Sequence, residues 1–124
     1  MIKQAKRQAK SYRYAAKGVK YTLNSQVNIW LHLIIAVIVS LLAYLLHFTA
    51  EQLLIVVLAI GFVITAELFN TAIEEMVNLL SPEYHEVAGV VKDVAAGAVL
   101  VSAITAAIVG CILFGPALLD AFAR

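Results

Sequence analysis

Apolar positions along the chain fall into three long runs, separated by short polar stretches and preceded by a basic arm. In the arm, residues 1–28, Ile2, Ala5, Ala9, Tyr12, Ala16, Val19 and Leu23 recur at spacings of three and four, with lysines and arginines between them. This is the layout of an amphipathic helix lying on an anionic membrane surface. From Ile29 to Leu46 the chain carries no charge, and His32, Ser40 and Tyr44 are its polar interruptions. That length crosses a hydrocarbon core, so 29–47 is predicted as the first membrane helix. His47 to Gln52 reads as a turn. A second run starts at Leu53 and stays uncharged to Ala66, after which Glu67, Asn70, Glu74, Glu75 and Asn78 fall within what reads as the same helix, 52–80. Ser81-Pro82 closes it, because proline disfavours the helical state in the residue before it. Pro82 to Val91 is the polar connection, read either as a loop or as a short helix lying at the interface. The third predicted helix, 92–119, opens with Lys92-Asp93 and continues through 26 uncharged residues, Val94 to Leu119, with Gly115-Pro116 loosening its far end.

Composition narrows this to one class. Of 124 residues, 63% are hydrophobic and 14% charged, which excludes a soluble monomer and leaves no room for a large soluble catalytic domain. The expected architecture is all-α, a single domain over 1–124 with three transmembrane helices and an N-terminal surface helix. Cys111 is the lone cysteine, so no internal disulfide is possible. Seven of the nine basic residues precede Glu51, the first acidic one. The positive-inside rule then places the N-terminus, and with it the Pro82–Lys92 connection, in the cytoplasm, and Arg124 outside. The apolar run after the arm lacks a clear small-x-small cleavage site, so the arm is expected to be retained in the plasma (inner) membrane protein. A basic helix could also bind nucleic acid, but attachment to a membrane body argues for no nucleic-acid partner.

The acidic end of the second helix carries the candidate chemistry. At 100° per residue, Glu67, Asn70, Glu74 and Asn78 fall within about 80° of one another and form one polar stripe, with Glu75 off it. Ionisable residues at membrane depth are costly and are by default functional or internally paired. Two carboxylates at i and i+7 with an amide between them can hold a divalent cation and supply a base. Glu75 reads equally well as part of a solvated helix end. Lys92-Asp93 followed by Ala95-Ala96-Gly97-Ala98 suggests a charged pair facing a polar ligand beside a close helix–helix approach. Ser102, Ala106 and Gly110 extend a small-residue face suited to helix packing. There is no G-x-x-x-x-G-K-[ST] loop, no G-x-G-x-x-G and no paired-cysteine metal site, so nucleotide chemistry needs another scaffold.

Ala66-Glu67-Leu68-Phe69-Asn70-Thr71-Ala72-Ile73-Glu74, then Glu83-Tyr84-His85 beyond the Ser-Pro break, then Lys92-Asp93-Val94-Ala95-Ala96-Gly97, closely resembles the prokaryotic diacylglycerol kinase family. The resemblance runs from about Ser11 to Cys111, and the Ala-Ala-Gly after Lys92-Asp93 looks more like its Gram-positive, undecaprenol-phosphorylating branch. It implies a homotrimeric membrane kinase that transfers the γ-phosphate of ATP to a lipid alcohol, undecaprenol or diacylglycerol, with Mg2+. Carried over by position, Glu67 would be the general base and Asn70 part of the catalytic core. Glu74 would be a metal ligand, and Arg7, Tyr14, Glu83, Tyr84, His85, Lys92 and Asp93 would lie near the nucleotide.

Two positions depart from the family pattern. Gln26 stands where the family usually has a metal-binding glutamate, and Asn78 where it has an aspartate. An amide oxygen at Gln26 still offers a ligand but no charge, which leaves either a less anionic metal site or a catalytically weakened homologue. A small cation-coupled transporter is the alternative from another class. It would need a carboxylate near mid-membrane, whereas these acids crowd one end.

Overall fold

In the structure, a computed structural model, residues 1–83 and 85–123 are described, apart from the side chains of Ile2 and Ala5. They form four helices: α1 (Ile2–Ser25), α2 (Asn28–Leu45), α3 (Ala50–Leu80) and α4 (Glu86–Phe122). No strand occurs among the described residues. The last three helices are each long and apolar enough to cross a membrane, while α1 exposes nearly every described side chain before Thr22.

The turns follow local chemistry. α2 ends at Leu45, and His47 takes a left-handed conformation, φ 55°, that reverses the chain. Thr49 then starts α3 with a reciprocal cap: its Oγ1 accepts from the Gln52 backbone N–H (3.3 Å), and its own N–H donates to Gln52 Oε1 (2.9 Å). The turn is thus shorter than the predicted His47–Gln52. The next connection is also short, since α4 begins at Glu86 and runs unbroken through Lys92-Asp93 and past Pro116 to Phe122. Residues 86–91 are helix, and the predicted span 92–119 lies inside it.

α3 is the central element, packed most extensively against α4 and also against α2. Ala43, Phe48, Val56 and Phe114 are buried together at the end remote from the Glu67–Asn78 stripe, with the Phe48 and Phe114 rings 4.6 Å apart. At ~1.5 Å per residue, α3 is ~46 Å long against a hydrocarbon core of ~30 Å. Counted from Ala50, Glu67 sits ~26 Å along and Glu74 ~36 Å, so the stripe begins at the core boundary and leaves it. On α4 the buried face is Ala95, Val99, Ser102 and Phe114. The close approach expected around Gly97 and Gly110 is not made within the chain, because a Cβ on either would meet no atom within 4 Å.

Candidate active site

The stripe on α3 meets the junction of α1 and α2. Glu74 carries the centre of the cluster, accepting from Gln26 Nε2 at 2.8 Å and from Asn70 Nδ2 at 3.1 Å. Asn70 reaches Glu74 because i and i+4 share a helix face. Gln26 reaches it from 48 residues away because α1 stops at Ser25 and Gln26 turns extended, φ −116° and ψ 127°, before α2 begins. Two turns deeper than Glu74, Glu67 is 1% exposed, and neither of its carboxylate oxygens has a hydrogen-bond partner; Asn70 Oδ1 is buried and unpartnered as well. Thr71, also buried, turns its hydroxyl back onto the Glu67 carbonyl at 2.9 Å, leaving the Glu67 side chain unassisted. Three buried oxygens without partners on one helix face are an uncommon and costly arrangement unless a ligand or proton completes them.

The donor set suits a hard cation. Among the described residues no three His, Cys, Asp or Glu side chains are grouped to hold a metal, so any ion here would draw on amide and ligand oxygens besides one or two carboxylates. That is the usual habit of magnesium in phosphate sites. The amide ends of Gln26 and Asn70 exchange by a half-turn of the last side-chain bond, which would swap their N–H donors at Glu74 for carbonyl oxygens.

The remaining residues expected at the site are less gathered. Lys92 on α4 donates to Asn78 Oδ1 at 2.7 Å, which places its ammonium beside the outer end of the stripe. Asp93, Glu83 and His85 are exposed near it in sequence, the last two in the connection before α4. Tyr14 lies on exposed α1 between the ammonium groups of Lys10 and Lys17, 5.8 and 5.9 Å from its ring centre. Arg7 is exposed on the same helix, about two turns before Tyr14. Tyr84 lies outside the described residues.

Three features had no signal in the sequence pattern. An apolar groove of about 410 Å³ runs between α2, α3 and α4, floored by small residues such as Ala59, Ala103, Ala106 and Gly110. It reaches Val63, one turn from Glu67, and its far end is Phe114 in the buried cluster. His32 is the one titratable side chain in its lining. On the other side of α3, Tyr21 and Glu75 line a cleft between α1 and α3, and hydrogen bonding to the Glu75 carboxylate, then burial and charge, raise the Tyr21 phenol above its ordinary value. Glu75 itself is exposed, as a solvated helix end would be, and lines this cleft. The third feature is a bond from the Trp30 indole to the Leu23 carbonyl, 2.8 Å, across the α1–α2 junction.

Comparison with known proteins bears directly on this arrangement. The family model of prokaryotic diacylglycerol kinase matches residues 13–114, most of the chain. The chain belongs to this family. Membership in the prokaryotic diacylglycerol kinases makes it a lipid kinase, a phosphotransferase, and does not favour the transporter alternative. The family match contains Gln26, the whole α3 stripe and Lys92, while Arg7 falls before it. A diacylglycerol kinase of Synechocystis is 44% identical over 110 residues, 87% of this chain and 63% of that protein, so the chain spans under two thirds of that relative's length. The undecaprenol kinase of Bacillus subtilis is 36% identical over 109 residues, 88% of this chain and 89% of the relative. The diacylglycerol kinase of Escherichia coli K12 is 29% identical over 104 residues, 84% and 85% of the two chains.

Proposed function

We propose that this chain transfers the γ-phosphate of ATP to the hydroxyl of a membrane lipid alcohol, undecaprenol or diacylglycerol, at the cytoplasmic face of the plasma membrane, as a homotrimer using Mg2+. The observation that carries this reading is Glu67, a buried carboxylate with both oxygens unpartnered at the boundary of an apolar span, one turn from an apolar groove. A lipid chain in that groove brings its hydroxyl to Glu67, which takes the proton as the oxygen attacks the γ-phosphorus and ADP departs. Glu74, with Gln26 and Asn70, would hold Mg2+. When bound there, the ion neutralises phosphate oxygens. Lys92 spends one of its three donors on Asn78 and keeps two for phosphate. Glu83, Tyr84, His85, Asp93, Tyr14 and Arg7 complete the nucleotide side of this proposal. Phosphoryl transfer is mostly positioning and charge neutralisation, so the scheme needs no P-loop.

The test is ATP-dependent phosphorylation of undecaprenol and of diacylglycerol in bilayers by the wild type and Glu67→Gln. Wild-type protein should phosphorylate at least one of the two. Glu67→Gln should lose roughly 10²–10⁴-fold in turnover, the usual cost of removing a general base, while eluting as the same oligomer. Retention of more than about a tenth of wild-type turnover would refute the role of Glu67.

A further inference from the structure

The junction between α1 and α2 is where the proposed site depends on tertiary geometry. The last carbonyls of α1 have no intrahelical partner. The backbone N–H of Gln26 takes that of Thr22 at 2.9 Å. Leu23, the next, is taken by a side chain seven residues on: Trp30 Nε1 donates to it at 2.8 Å. Trp30 stands in the first turn of α2, and its own backbone N–H bonds to the Val27 carbonyl at 3.1 Å. A rigid indole fixed in α2 therefore grips the end of α1. Between these two anchor points lie Gln26, extended, and Val27. Gln26 is the residue that crosses to Glu74 at 2.8 Å. Apart from this end, α1 exposes its described side chains, and besides the clasp its last two turns meet α3 along the cleft lined by Tyr21, Thr22, Thr71 and Glu75.

We propose that Trp30 is a positioning residue: by clasping the Leu23 carbonyl it sets the α1–α2 elbow and thereby holds Gln26 against Glu74. This rests on the reading above insofar as it concerns turnover, and on geometry alone insofar as it concerns the elbow. The competing role for an aromatic at the end of a membrane span is a simple interfacial anchor. The ring supplies the anchor and the N–H supplies the clasp, so the two roles separate chemically. Trp30 is half exposed, 52%, so a smaller aromatic there opens no core cavity. A misplacement of about 1 Å costs up to roughly 10²-fold in a positioned reaction.

Trp30→Phe keeps an aromatic ring and removes the donor. Two measurements test it. The first carries Gln26→Cys and Glu74→Cys in a Cys111→Ser background, and follows their joining by a short bis-thiosulfonate reagent, a readout of proximity with no catalysis in it. Adding Trp30→Phe should slow the joining at least about threefold, as expected for the loss of one net hydrogen bond. An unchanged rate overturns the proposal. The second is a double-mutant cycle in turnover between Trp30→Phe and Gln26→Ala. Alone, Trp30→Phe should cost roughly tenfold, in kcat and in the magnesium needed for half-maximal rate, with the lipid KM unmoved. In the Gln26→Ala background its cost should nearly vanish, because it acts through Gln26. A full cost persisting there also overturns the proposal. If Gln26→Ala leaves turnover untouched while Trp30→Phe still slows the joining, the elbow stands, and the assignment of Gln26 to the metal fails separately.

Discussion

Gln26 and Glu74 face each other at 2.8 Å across 48 residues of chain, and this contact gives the Gln26 departure a physical meaning. Here the amide can donate to the carboxylate without a cation, which a second carboxylate could not do. Gln26→Glu would place two negative groups together and make a cation more necessary to the site. The expected result is a lower magnesium concentration for half-maximal activity, since a hard cation binds more tightly to a charged oxygen ligand. Glu74→Gln should move the midpoint the other way or abolish turnover. A magnesium titration that Gln26→Glu leaves unchanged, in a protein that still phosphorylates lipid, would remove Gln26 from the metal. At Asn78 the same loss of charge has a different consequence, because its amide oxygen accepts from Lys92 at 2.7 Å. The ammonium is held by a neutral partner, whereas an aspartate there would hold it in an ion pair.

Among the elements, α3 carries the proposed chemistry and α4 lines the groove that would lead to it. The small-residue face Ser102, Ala106 and Gly110 reads in sequence as a helix-packing surface, but it divides in the fold. Ser102 is buried with its hydroxyl on the Val99 carbonyl at 2.7 Å, while Ala106 and Gly110 line the groove. A Cβ at Gly110 would meet open space, so a larger side chain can enter the groove without displacing backbone. If lipid occupies it, Gly110→Leu should raise the lipid KM roughly tenfold, the worth of about two excluded methylenes, with the magnesium dependence unaltered. Steady-state kinetics against lipid mole fraction in bilayers would measure this, and an unchanged KM would exclude the groove as the path to Glu67. The far boundary of α3 was legible in Ser81-Pro82, because proline sterics are local, whereas the Thr49 cap that starts it earlier lay within the predicted turn. The start of α4 was legible only as one of two readings, loop or short interfacial helix, since Glu86 and Gly89 follow Pro82 within a few residues, and 86–91 instead form the first turns of one long packed helix.

At the scale of the whole molecule, three spans with α1 ahead of the first put both the α1–α2 elbow and the α3–α4 connection on one side of the membrane. In the proposed orientation, the seven basic residues of α1 would put that side in the cytoplasm, with the nucleotide. Cysteine labelling of intact cells should therefore find single cysteines near Phe122 accessible, and those at Glu83 or His85 protected until the membrane is permeabilised. The reverse pattern would place the proposed site away from its nucleotide. Much apolar surface on α2, α3 and α4 stays exposed in the single chain, an extent that lipid and the proposed trimer contacts would share.

The sequence by itself determined the number of spans, their approximate ends and the composition of the polar stripe, because run length, proline and a 100° turn per residue are properties of neighbouring residues. Glu67, Asn70, Glu74 and Asn78 share a face wherever α3 packs. What only the tertiary structure decided are the contacts between distant segments: Gln26 on Glu74, Lys92 on Asn78, Trp30 on Leu23, and the groove that ends one turn from Glu67. Each depends on the angle of the elbow or on how far α2 and α4 stand apart over α3. No local pattern encodes those distances, since they result from the packing of whole helices against one another.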